Sequence, residues 1–85
     1  MEREEYSLAI HTPFIRLDQL LKYADIVSTG GEAKELIAEG LFSLNGETVF
    51  ERGKKVYPGD VVGVLTEEGE ADIYVTAASK EDEEA

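Results

Sequence analysis

Val27-Ser28-Thr29-Gly30-Gly31-Glu32-Ala33-Lys34-Glu35-Leu36-Ile37-Ala38-Glu39-Gly40 reads as one short helix with both of its ends written out. Ser28 or Thr29 can cap it, because a hydroxyl at that position accepts a hydrogen bond from the first helical turn. Ala33, Leu36 and Ile37 recur at helical spacing, and Gly40 stops the run. Gly30 and Gly31 leave the first backbone N–H groups uncovered by side chains. A helix start of that kind is a natural seat for a phosphate, although taken alone it also suits a tight turn between helices.

Working outward, Leu17 to Ala24 forms a helix with Leu17, Leu20, Leu21 and Ala24 on one face. Asp18 and Lys22 lie four apart on another face, acid first, which predicts an exposed ion pair worth about 0.3 kcal/mol. So short a link as Asp25-Ile26-Val27 makes the two helices pack as a helix-turn-helix-like pair. On the second helix Lys34 stands apart from Glu35 and Glu39. Before the pair, Glu5 to Thr12 alternates as a strand that Pro13 ends. After it comes a strand, Leu41 to Leu44, then Asn45-Gly46, a strong signal for a tight hairpin. Glu47 to Phe50 returns as the partner strand. Glu51-Arg52-Gly53-Lys54-Lys55 reads as an exposed basic loop. Tyr57-Pro58-Gly59-Asp60 has the form of a type II turn, with glycine supplying the positive φ. Val61 to Leu65 reads as a buried strand from its continuous apolar run, and Ala71 to Thr76 as a final strand.

Eighty-five residues make one domain with a thin core, burying only about 60–65 % of its unfolded surface. The chain has no cysteine, so disulfides, thiolate metal sites and cysteine nucleophiles are excluded. The polar Met1-Glu2-Arg3-Glu4-Glu5 start does not resemble a signal peptide, and no apolar run approaches the ~20 residues that cross a bilayer. The expectation is a cytoplasmic protein with no membrane partner. The net charge of −11 is uneven. Residues 12–66 hold six basic and eight acidic residues, for −2, residues 1–11 add −2, and residues 67–85 add −7. A charge of this sign opposes nonspecific nucleic-acid binding. A local basic face survives it, because screening acts over about 8 Å at physiological salt. Ala77 to Ala85 has too few apolar residues to fold and reads as a disordered acidic tail.

Catalytic readings are poor. His11 is the single histidine, so no histidine metal cluster exists, and a lone histidine on a strand is ordinarily solvated. Gly46 to Gly53-Lys54 imitates a phosphate loop, but its spacing is too long and Lys55 stands where a magnesium-binding hydroxyl is required. Leu17, Leu20, Leu36, Ile37, Val61 and Val64 are core residues. Tyr23 and Tyr57 could stack on bases, yet partial burial where helices meet sheet is the expectation for both.

Arg16-Leu17-Asp18, the short second helix, Leu44-Asn45-Gly46, a lysine-rich loop and Gly59-Asp60-Val61-Val62 occur in that order. Together they resemble the S-four RNA-binding domain, or alpha-L motif, over roughly Ile15 to Leu65. The likeness is greatest to its small stand-alone YaaA-like members, in Ser28-Thr29-Gly30-Gly31 with Ala33-Lys34 and in Arg52-Gly53-Lys54-Lys55. The resemblance implies structured RNA bound across the helix pair and the adjacent basic loop. The RNA-facing positions it implies are Arg16, Lys22, Ser28, Gly30, Gly31, Lys34, Arg52, Lys54 and Lys55, while Asn45, Gly46, Gly59 and Asp60 shape turns. Many members open the second helix with a Ser-Arg pair. Here Thr29-Gly30-Gly31 lacks that arginine and keeps the bare amides.

The expected fold is α+β: two short packed helices against a small, mostly antiparallel sheet. Residues 1–11 form an N-terminal strand or extension, 12–76 the RNA-binding domain and 77–85 the tail. The expected function is a non-catalytic, cofactor-free and metal-free module for structured RNA, chiefly ribosomal RNA, ribosomal subunits or their assembly intermediates. Ribosomal proteins are a further possible partner, and a monomer is favoured. The alternative keeps the fold without RNA affinity, as a protein-interaction adaptor whose acidic ends meet a basic partner.

Overall fold

A computed structural model describes residues 2–67 and 69–78. Its elements run β1 (Glu2–Ile10), β2 (Ile15–Arg16), α1 (Leu17–Tyr23), α2 (Gly30–Ala38), β3 (Phe42–Leu44), β4 (Glu47–Thr48), β5 (Lys55–Val56), β6 (Val61–Thr66) and β7 (Gly69–Ala77). Five strands form one sheet in the order β1-β7-β6-β3-β4, and β2 pairs with β5 in a separate two-stranded ribbon. All pairings are antiparallel except β1 with β7. The α+β architecture, with two helices against a mostly antiparallel sheet, is the one the sequence predicts.

Local chemistry accounts for the helices. Thr29 caps α2, its hydroxyl accepting from the Glu32 amide at 3.1 Å, while the Glu32 carboxylate accepts from the Ser28 amide at 3.2 Å. This is a variant of the reciprocal capping box. Gly40 lies at φ 78°, the left-handed geometry that ends a helix cheaply only at glycine. One face of each helix enters the core. Leu17, Leu20 and Leu21 of α1 join Ala33 and Ile37 of α2. Val27, Val56 and the inner sheet residues Ile10, Phe42, Val62, Val64, Ile73 and Val75 complete it.

Two turns are built as the sequence predicts and are also tied to each other. Asn45 (φ 50°) and Gly46 (φ 91°) make the hairpin, the two successive positive φ angles of a type I′ turn. Gly59 sits at φ 100° in the Tyr57–Asp60 turn, closed by the Asp60 amide to the Tyr57 carbonyl at 3.0 Å. Asn45 Nδ2 then donates to Asp60 Oδ1 at 3.0 Å, and Asn45 Oδ1 accepts from the Val61 amide at 2.9 Å.

Several expectations are corrected. Asp18 and Lys22 make no exposed pair: Asp18 is only 6 % exposed and bonds Arg16 instead. Residues Arg52 to Lys55 are not a free loop, because Lys55 is the first residue of β5. β6 is buried on one face only. Val62 and Val64 point inward, while Val61 and Leu65 lie on the outer face, since the sheet has no second layer covering it. Tyr23 and Tyr57 are exposed rather than partly buried, at 59 % and 47 %. β4 is shorter than Glu47 to Phe50, and Phe50 instead lays its ring beside Gly40, where a Cβ would come within 3.1 Å of it. β1 and β7 are longer than predicted, because each extends the other through a nine-residue parallel register from Glu2↔Gly69 to Ile10↔Ala77. Ala77 therefore ends a strand, and the Ala78 amide donates to the Ile10 carbonyl at 2.9 Å. The remainder of the predicted tail, 79–85, lies outside the described residues.

The outer face of the sheet is acidic on the β1–β7 side. Arg3 is clamped between Glu70 and Asp72, and Tyr74 donates to Glu5 at 2.8 Å. That hydrogen bond to the Glu5 carboxylate raises the Tyr74 phenol above its ordinary pKa. A shallow trough of about 580 Å³ crosses this face, floored by Gly63 and flanked by Ser43 and Asp72.

Candidate RNA interface

The first amides of a helix lack partners within it and must find them elsewhere. Arg16 occupies the N-cap of α1 but gives no side-chain cap. The basic segment supplies the acceptors instead. The Leu17 amide donates to the Lys54 carbonyl at 2.8 Å, and the Asp18 amide to the Arg52 carbonyl at 3.0 Å. The backbone of Arg52 to Lys54 is thus fastened to the start of α1, with the Arg52, Lys54 and Lys55 side chains exposed. The β2–β5 ribbon closes the same junction by setting Arg16 directly opposite Lys55. Arg16, Arg52, Lys54 and Lys55 are therefore brought together by main-chain hydrogen bonds across about forty residues of sequence.

Asp18 organises the centre of this cluster. Its Oδ2 accepts from Arg16 Nη2 at 3.1 Å, and its Oδ1 accepts from the Gln19 amide at 2.9 Å. A carboxylate in the first turn also interacts favourably with the helix dipole. The Arg16 guanidinium remains half exposed beside Gly53 and keeps donors for a further anion. Sequence reading missed Asp18 as a site residue. The available signal was its place two residues after Arg16 and one turn inside the helix. Asp18→Ala removes one partly desolvated charged hydrogen bond and a favourable dipole contact, for an expected loss of about 1–2 kcal/mol. Thermal melting should show a midpoint lowered by about 4–8 °C for each kcal/mol in a domain of this size.

At α2 the arrangement is different. A Cβ at Gly30 would meet nothing within 4 Å, and one at Gly31 only the Thr29 hydroxyl at 3.9 Å. The glycines thus leave the helix start open to approach. Among the described residues no side chain bonds their amides, whereas the Glu32 amide is taken by Thr29 and the Ser28 amide by Glu32. Glu32 brings a carboxylate to the helix end that the sequence left bare. Lys22 and Lys34 are exposed on α1 and α2 and make no ion pair among the described residues. No described hydrogen bond joins Lys34 to the basic segment. Main-chain hydrogen bonds and strand pairing thus join Arg16, Arg52, Lys54 and Lys55, and no described hydrogen bond links that group to Lys22 on α1, to Ser28 ahead of α2, or to Gly30, Gly31 and Lys34 on α2.

Helix pair, braced turns and a cationic segment capping the first helix define a small RNA-binding module of the S4-domain class, and residues 8–73 match the S4 domain family model. The chain belongs to that family. It is also 42 % identical over 57 residues to a Bacillus subtilis (strain 168) protein described as a probable ribosome maturation protein, RlbA; the match covers 67 % of this chain and 80 % of that one. Most of β1, residues 2–7, lies outside the family match.

Proposed function

We propose that this protein is a non-catalytic module that binds structured ribosomal RNA, in ribosomal subunits or their assembly intermediates, in the cytoplasm. The observation that carries the reading is the fastening of Arg52 and Lys54 to the start of α1, which presents four cations from two distant segments at one hydrogen-bonded junction. Phosphate contacts of that kind position a protein on RNA and carry no sequence information by themselves. The similarity to a protein named for ribosome maturation supports ribosomal RNA as the partner. Crosslinking in cells followed by sequencing of the bound RNA tests it. Reads should concentrate at one or a few ribosomal RNA positions after normalisation to RNA abundance. An even spread over total RNA would overturn the reading.

A second reading is supported by the outer sheet face. Glu5, Glu70 and Asp72 line one side of it, with Arg3 as the cation among them. A basic protein segment would suit that face, and the adaptor role then replaces RNA binding. A salt titration against ribosomal RNA separates the two, since an adaptor has no RNA affinity to titrate.

A further inference from the structure

The β2–β5 ribbon has an outward face that α1 touches only through the Asp18 bond to Arg16. Ile15 pairs with Val56 and Arg16 with Lys55, and the same register continued by one step sets Phe14 opposite Tyr57. Side chains alternate across a strand. Val56 is fully buried and Ile15 packs against the core, so Phe14, Arg16, Lys55 and Tyr57 share the other side. Two cations form one row and two aromatic rings the next. The rings stand 5.8 Å apart at 47°, and Lys55 Nζ lies 4.9 Å from the Phe14 ring centroid.

This face is exposed, pre-set and electrostatically unbalanced. Nearly half of Tyr57 is open, and its hydroxyl has no partner among the described residues. Its main chain is held from both sides: the Tyr57 amide donates to Asp60 Oδ2 at 2.8 Å, and Asp60 is in turn braced by Asn45. Asp18 holds Arg16. Like charges directly across a ladder repel. Asp18 and the Phe14 ring each offset one of the two cations, and an anion placed between them would relieve the rest. An open ring beside two cations is the pairing that unpaired nucleotides use, with base on aromatic and phosphate on cation.

We propose that the ribbon face holds one unpaired nucleotide, its base stacked on Tyr57 beside Phe14 and its phosphate between Arg16 and Lys55. The proposal rests on the RNA-binding reading above and adds to it a preference for single-stranded or looped-out positions.

Two probes test it: a single-stranded oligoadenylate and a blunt RNA duplex of the same length. Tyr57→Leu should bind the single strand about tenfold more weakly and the duplex within about twofold of the parent, with an unchanged salt slope, because a base contact releases no counterions. Tyr57→Phe keeps the ring and should bind both probes like the parent. The chain has no tryptophan, so Tyr57→Trp gives a single reporter whose emission should be quenched by the single strand. That reporter decides the matter if Tyr57→Leu fails to fold. Single-strand binding by Tyr57→Leu equal to the parent's, equal losses on both probes, or unquenched Tyr57→Trp emission would each overturn the proposal. Duplex binding without single-strand binding by the parent overturns the proposal alone. A parent that binds neither probe also overturns the proposal, while the RNA reading itself is decided by the crosslinking above.

Discussion

Ala33→Asp is expected to abolish cooperative unfolding altogether. Ala33 is fully buried in the core that α1 and α2 share, in the second turn of a nine-residue helix. The core it belongs to is lined by buried hydrophobic side chains, Leu17, Leu20, Leu21 and Ile37 among them, which offer a carboxylate no donor. An unpaired buried carboxylate costs several kcal/mol, either as the ion or through the neutralisation it forces. A small domain has about 5–8 kcal/mol in total. The cost also falls on the helix pair that holds the basic segment, so RNA binding should be lost with the fold. Circular dichroism during heating is the measurement. A sharp transition near the parent's midpoint would show that Ala33 is not at this helix contact.

The second large effect belongs to Lys54→Ala combined with Lys55→Ala. The main-chain carbonyl of Lys54, which caps α1, survives the substitution, so the junction should still form. Loss of the Lys55 contact with Phe14 costs only about 0.5–1 kcal/mol at an exposed site. The effect on binding is larger. With about four to six phosphates neutralised, the log–log salt slope should be near −3 to −4, taking ~0.7 per contact for single strands. Removing two contacts should lower its magnitude by roughly one to one and a half and weaken binding about twentyfold at ~0.1 M salt, for all sequences alike. Glu35→Ala and Glu39→Ala, both at exposed positions of α2, should leave affinity unchanged or slightly raised. Binding to ribosomal RNA fragments from low to physiological salt is the measurement. A flat salt dependence, or equal losses from lysine and glutamate variants, would remove the RNA face and favour the adaptor.

The braced turns show how far neighbouring residues act together. Asn45-Gly46 and Pro58-Gly59 are each readable as turns, because a positive φ is a property of one residue and its chain neighbours. That Asn45 also bonds Asp60 is a relation between residues fifteen apart, and it makes the two turns a single brace under Tyr57. The same distinction governs the site. Arg16, Arg52, Lys54 and Lys55 are legible as cations, and resemblance to a family nominates them. Their meeting depends on the orphan amides of α1 finding the carbonyls of Arg52 and Lys54. Asp18 escapes notice because its i, i+4 spacing to Lys22 predicts an exposed pair. Fastening the basic segment over the helix start buries it and leaves Arg16 as the partner.

From its residues alone this chain declares two short helices, the caps of the second, two glycine turns and the alternation of the first and last strands, because each depends on periodicity or φ preferences within a few residues. Tertiary structure alone decided two things. β1 lies parallel on β7, at the sheet edge that the other strands leave unpaired. The segment that reads as a soluble basic loop becomes a strand and a helix cap, because hydrogen-bonding groups left over at one end of α1 are satisfied by the backbone of residues far along the chain.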